Sequence, residues 1–189
     1  MTTRYDAGAR LFHWLVALLL IVQIPAGIAM IAPGLPQPTI DAIYVMHKGL
    51  GVVLLVILLA RLLWRLVRGT PPMPAHWPAL ERSIASRTHI ALYVLLIVLS
   101  VSGYVHVIGG GFPIELLNVF GVPPLIPEMP SAAMAASLVH RFASFLLVAL
   151  VAVHVAEVLR HHLVERDGEL SRMWPPVGGK DAAAPETHD

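Results

Sequence analysis

The fold class this sequence predicts is all-α: a transmembrane, antiparallel four-helix bundle. Three observations predict it. Hydrophobic residues make up 57% of the 189 and charged residues only 13%, a balance outside the range of ordinary soluble domains. Four apolar runs are each long enough to cross a bilayer as a helix of about 20 residues. The connections between them are short and rich in Pro and Gly, which leaves no room for a separate soluble domain.

The first run, 11–32, follows a polar arm carrying Arg4 and Arg10. It is too long for the apolar core of a signal peptide and lacks a clear small-x-small cleavage site, so it is expected to remain as the first span. Pro25 and Gly27 are expected to bend it, which neighbouring helices tolerate by satisfying the freed carbonyls. After a tight turn at 33–38, the second helix spans 40–67, with Asp41, His47 and Lys48 in its first turns and Arg61, Arg65 and Arg68 at its exit. A proline-rich connection, 70–78, leads to the third helix, 83–107, which carries His89 and His106. The stretch 109–131 is a longer loop with a short apolar piece, 113–120, suited to lie along the membrane interface. The fourth helix spans 133–163. One bundle domain, 1–176, is expected, followed by a disordered Ala/Pro-rich tail, 177–189.

The fourth helix organises the rest. His140 and His154 stand fourteen residues apart in an apolar run whose only charge between them is Arg141. At about 100° and 1.5 Å per residue, fourteen steps return to within roughly 40° of the starting direction and climb ~21 Å. One helix thus turns two imidazoles to the same side, one near each membrane surface. Two stacked haems, each asking a second histidine from another helix, would use that arrangement. The chain has no Cys, which excludes disulfides, iron–sulfur clusters and covalent haem attachment.

Basic residues set the orientation. The N-terminal arm, the second connection with its flanks and the C-terminal segment hold all the Lys and Arg except Lys48 and Arg141, so both termini are expected in the cytoplasm. His13 and His154 then lie near the inner surface, His47 and His140 near the outer one. The net charge of +1, with its basic residues at helix ends, points away from a nucleic-acid partner and towards lipid headgroups.

The ten histidines divide by setting. His76, His161, His162 and His188 are read as solvated or headgroup-facing residues. His13, His47, His89, His106, His140 and His154 sit inside apolar helices, where ionisable groups are costly and mark functional sites. Zinc is the rival metal. It prefers a tetrahedron with Cys or carboxylate ligands, a pattern missing at either level, whereas a bis-histidine haem needs two opposed imidazoles.

Phe12-His13-Trp14-Leu15, Val45-Met46-His47-Lys48-Gly49, His89 with Leu92-Tyr93, and His140 with His154 and His161-His162 resemble the bacterial cytochrome b561 family, as does the ending Leu170-Ser171-Arg172-Met173-Trp174-Pro175. The resemblance covers nearly the whole chain. It implies a four-helix bundle in the bacterial inner membrane with two b-type haems, axially held by His13, His47, His140 and His154. It also implies electron transfer with quinone, in one branch the oxidation of superoxide with ubiquinone as acceptor. The chain departs from that pattern at Val139, where relatives place an aromatic residue, and at Arg141, where they place an acid. Both positions flank the outer pair and leave the donor open.

Considered apart from the resemblance, the pairing is His47 with His140 and His13 with His154; His106 is an alternative outer ligand and His89 an alternative to His13. His89 otherwise stands beside the inner haem as a propionate partner or proton donor, or hydrogen-bonds a neighbouring helix. Lys48 and Arg141 each follow a proposed outer ligand. They are candidates for steering a small anion or anchoring propionates, with headgroup snorkelling as the alternative. The quinone pocket is placed near His89 and Trp77. The competing readings are an electron-transfer subunit serving a partner dehydrogenase or hydrogenase, and a haem-free membrane transporter. A homo-oligomer is left open.

Overall fold

The computed structural model describes residues 4–74 and 76–175; the tail 177–189 and His188 lie outside the described residues. It contains four long helices, α1 (Ala7–Ala29), α2 (Gln37–Arg68), α3 (Ala79–Gly109) and α5 (Pro130–Arg160), with the short α4 (Glu115–Val119) between the last two. No strand occurs among the described residues. Four helices are long and apolar enough to cross a membrane, the fourth span running from Pro130 to Glu165.

Local chemistry explains the helix ends. Asp6 caps α1, its Oδ1 accepting from Ala9 N at 2.9 Å, so the helix begins before the apolar run does. Pro38 near the start of α2 and Pro130 at the start of α5 occupy positions where a missing N–H costs nothing. Pro25 lies inside α1. The apolar piece of the third connection forms α4, with Leu116 packed on Gly49 of α2.

The helices associate as two hairpins. α1 packs along α2, and α3 along α5, while α2 and α3 join the halves. α5 makes no comparable packing with α1 or α2. The apolar core of Val16, Leu54, Leu58, Leu96, Leu99, Ala143 and Leu147 draws on all four long helices. On α3 Leu96 and Leu99 fall between His89 and His106, and on α5 Ala143 and Leu147 between His140 and His154, so apolar packing lies between the histidines of those helices. Between lipid-embedded helices this packing, rather than water exclusion, supplies the association energy.

The first and last described segments meet at the end of the bundle that carries His13. Arg4 donates to Ser171 O at 3.2 Å and Trp174 O at 2.6 Å, Trp14 Nε1 donates to Met173 O at 2.8 Å, and Arg172 donates to Pro72 O at 2.7 Å. These bonds seat the segment 169–175 over the start of α1.

Candidate functional site

Two pairs of histidine rings face each other across the gap between the hairpins. At the level expected to lie outside, the outer level below, His47 of α2 and His140 of α5 have ring centroids 6.3 Å apart with planes at 83°. At the opposite, inner level His13 of α1 and His154 of α5 are 6.4 Å apart with planes at 79°. All four side chains are half-buried. The match between two pairs on different helices follows from the fourteen-residue spacing on α5, which repeats one azimuth at two depths.

These separations can be tested against a shared metal. A metal–imidazole bond of about 2 Å, plus about 1 Å from nitrogen to ring centre, counted on both sides, gives roughly 6 Å. Both pairs meet that span. Hydrogen bonding identifies the free nitrogen of His140: its Nδ1 lies 2.9 Å from Leu99 O. A carbonyl only accepts, so Nδ1 carries the hydrogen and Nε2 keeps its lone pair for a metal. The residues therefore fit a bis-imidazole b-type haem at each level.

Gln23 was passed over in the sequence analysis. It is buried, and its Nε2 donates to His47 O at 3.1 Å, tying α1 to the turn that carries the outer histidine. A lone glutamine in the run Leu18-Leu19-Leu20-Ile21-Val22-Gln23 was the available signal, because an amide in lipid needs a partner.

His89 and His13 both approach His154, with the His89 ring centroid at 5.6 Å. Against a span of roughly 6 Å the 6.4 Å of His13 and the 5.6 Å of His89 fit equally well, so distance leaves both as partners for His154. His106 is exposed at the end of α3, its Nδ1 3.3 Å from Ala133 O.

Arg61 stands fourteen residues after His47, so the α2 face that presents an imidazole outside presents a guanidinium inside. It donates to Tyr93 OH at 2.8 Å and Ala9 O at 3.4 Å, one turn before His13. Arg65 lies over the same Tyr93 ring at 5.8 Å. Sequence reasoning used these arginines only for orientation. The repeat of the fourteen-residue interval on α2 was the overlooked signal.

Lys48 does not point freely into solvent. Its Nζ donates to Pro113 O at 2.8 Å and Glu115 Oε1 at 2.9 Å, pinning α4 to α2. Burial works against ionisation of Glu115, but the Lys48 hydrogen bond, a backbone N–H and the Lys48 charge together outweigh it and hold the carboxyl below its ordinary value. Arg141 is exposed.

His161, expected at the headgroups, is instead buried at 5% exposure. A π-helical turn, His161–Glu165, ends α5; Arg166 takes a left-handed conformation, and the returning chain brings Asp167 onto the ring. His161 Nδ1 donates to Asp167 Oδ2 at 2.6 Å, and Trp77 stacks on the imidazole at 4.5 Å. Its place at a helix end had suggested a headgroup-facing side chain, but the widened turn and the returning chain enclose it. His162 and His76 are exposed. The carboxylates nearby are engaged by Arg160, which pairs with Glu81, Glu157 and Glu165.

Residues 4–176 match a family model described as prokaryotic cytochrome b561. The chain belongs to the prokaryotic cytochrome b561 family. It is 30% identical over 171 residues to cytochrome b561 homolog 2 of Escherichia coli (strain K12), covering 90% of each chain. The probable superoxide oxidase CybB of Yersinia pestis is 28% identical over 170 residues, covering 88% of this chain and 93% of that protein. Cytochrome b561 homolog 1 of Escherichia coli (strain K12) is 26% identical over 129 residues, 68% of this chain and 73% of its own length. As a cytochrome b561 the chain is a multi-pass membrane protein of electron transfer, and its family's cofactor is b-type haem.

Proposed function

We propose that this cytochrome b561 carries electrons across the bacterial inner membrane from superoxide on the outer side to membrane quinone, ubiquinone in the first instance. The single observation behind the reading is the pair of facing imidazoles repeated at two depths, 6.3 Å and 6.4 Å between ring centres. His47 with His140, and His13 with His154, would hold two haems. When bound, these supply reversible one-electron oxidation and reduction.

The balance is two superoxide oxidised to two dioxygen while one quinone takes two electrons and two protons to become quinol. With a haem bound, the two imidazoles at each level would leave no open coordination position, which would favour outer-sphere transfer over oxygen binding. The apolar core between the levels keeps water and protons from crossing with the charge. At the inner level Arg61 and Arg65 offer donors to propionates, and His89 stands against His154. The buried His161, stacked on Trp77 and bonded to the partly exposed Asp167, offers a proton-handling group at the same end, where quinone would bind. Similarity to the probable superoxide oxidase CybB supports superoxide as donor.

Haem-content assay and reduced-minus-oxidised spectra test the ligand set. His47→Ala or His140→Ala is expected to lose one haem, His13→Ala or His154→Ala the other, and His89→Ala neither. Retention of both haems in any of the first four variants removes that residue from the set. Stopped-flow mixing with superoxide and a quinone analogue then tests donor and acceptor. Stable copurification with a soluble dehydrogenase would favour the partner-subunit role.

A further inference from the structure

We propose that α3, which gives no ligand to the outer pair, sets the orientation and donor strength of His140 through the Leu99 carbonyl and the missing side chain of Gly103. The inference rests on the reading of His47 and His140 as haem ligands.

Three neighbours on one turn of α3 meet the His140 ring. Leu99 O accepts from His140 Nδ1 at 2.9 Å. The same carbonyl accepts from Ser102 Oγ at 3.2 Å, and that hydroxyl lies 3.5 Å from His140 Nδ1, so one oxygen is shared between a hydroxyl and an imidazole. A Cβ on Gly103 would stand 3.1 Å from His140 Cε1 and 3.2 Å from Nδ1. That is tighter than ordinary van der Waals contact, so the ring occupies space that any other residue would claim. His47, its partner across the gap, has a buried Nδ1 with no hydrogen-bond partner among the described residues.

The two outer imidazoles therefore differ in chemistry. Donation from Nδ1–H to a carbonyl raises the basicity of the ring and makes Nε2 the stronger ligand, which favours the oxidised metal. His140 has this support and His47 does not. Gly103 and Ser102 act in opposite senses. A methyl at 103 pushes the ring off the carbonyl and weakens the bond, whereas deletion of the Ser102 hydroxyl leaves Leu99 O to His140 alone. Both are positioning residues: they act on the metal through His140.

The experiment is a spectroelectrochemical titration of the haem-loaded protein, with low-temperature electron paramagnetic resonance, on wild type, Gly103→Ala and Ser102→Ala. The outer haem is identified as the one lost in His140→Ala. Gly103→Ala is expected to move its potential upward and displace its low-spin signal, and Ser102→Ala to move the same potential downward, with the inner haem unchanged in both. Full haem content with an unmoved outer potential in both variants, or shifts of the same sign, overturns the proposal while leaving the ligand reading intact. Should Gly103→Ala lose the haem, Ser102→Ala decides alone, and an unmoved potential there overturns it. Two haems retained in His140→Ala would instead sink the ligand reading and this inference together.

Discussion

At the scale of single residues, close approach matters more here than bond count. Gly8 is a case: a Cβ there would fall 2.3 Å from Trp64 Cζ2 and 2.9 Å from Nε1. That indole cannot swing away without losing its 2.9 Å hydrogen bond to Asp6 Oδ1. Gly8→Ala is accordingly expected to destabilise the protein by about 1–3 kcal/mol, the usual penalty of overpacking, read as a lower thermal midpoint in detergent, while Gly34→Ala, with open space around it but a φ of +92°, tests backbone strain alone. The facing of His13 with His154 and of His47 with His140 was legible because an imidazole in lipid needs a partner and because a fourteen-residue interval on one helix repeats a single azimuth at two depths. Gln23, Gly103 and the inward role of Arg61 were not legible in the same way. Their roles depend on which neighbouring backbone each meets, and helix period alone does not give that.

At the scale of elements, the start of α1 shows how one side chain serves two helices. Asp6 Oδ1 accepts from Ala9 N within α1 and from Trp64 Nε1 of α2. Burial works against its ionisation, but these hydrogen bonds, with Arg68 nearby, outweigh it and hold the carboxyl below its ordinary value. A lowered folded value means the contribution is fully present above the unfolded value of 3.8 and is lost as pH falls through the lower folded one. Asp6→Ala should cost about 0.5–2 kcal/mol at neutral pH, the range for a lost N-cap. The difference between variant and wild type in thermal unfolding should shrink as the medium is acidified through that window; an undiminished gap would mean packing, not charge, is responsible. Asp167 is held low in a similar way, with burial opposing and the Glu169 N–H and His161 favouring the anion. The sequence did not foretell that pairing, since it depends on a π turn and a left-handed Arg166, both departures from regular helix.

At the scale of the whole molecule, the four spans and their apolar lengths could be read directly, while the division into two hairpins with a gap between them could not, because hydropathy reports lipid contact and not which helices touch. Two predictions belong here. With eleven of the thirteen Lys and Arg on one side, both ends of the chain are expected in the cytoplasm; reporter fusions at either end that were active only in the periplasm would reverse this. Steering by charge at the outer mouth predicts that reduction by superoxide slows with ionic strength and falls several-fold in Lys48→Gln/Arg141→Gln, whereas Glu115→Gln, which removes the negative charge paired with Lys48 at 2.9 Å, speeds it. Rates indifferent to salt and to all three changes would dismiss steering. The two-hairpin plan has a consequence for biogenesis. Each proposed ligand pair takes one imidazole from α1 or α2 and one from α5, so porphyrin would act as a rivet between halves whose long helices meet mainly along α2 and α3, with the Lys48 bond to α4 and the segment 169–175 on α1 as lesser ties. The halves, produced as separate polypeptides cut in the link between α2 and α3, should then find each other in the membrane when haem is supplied and drift apart when its synthesis is blocked.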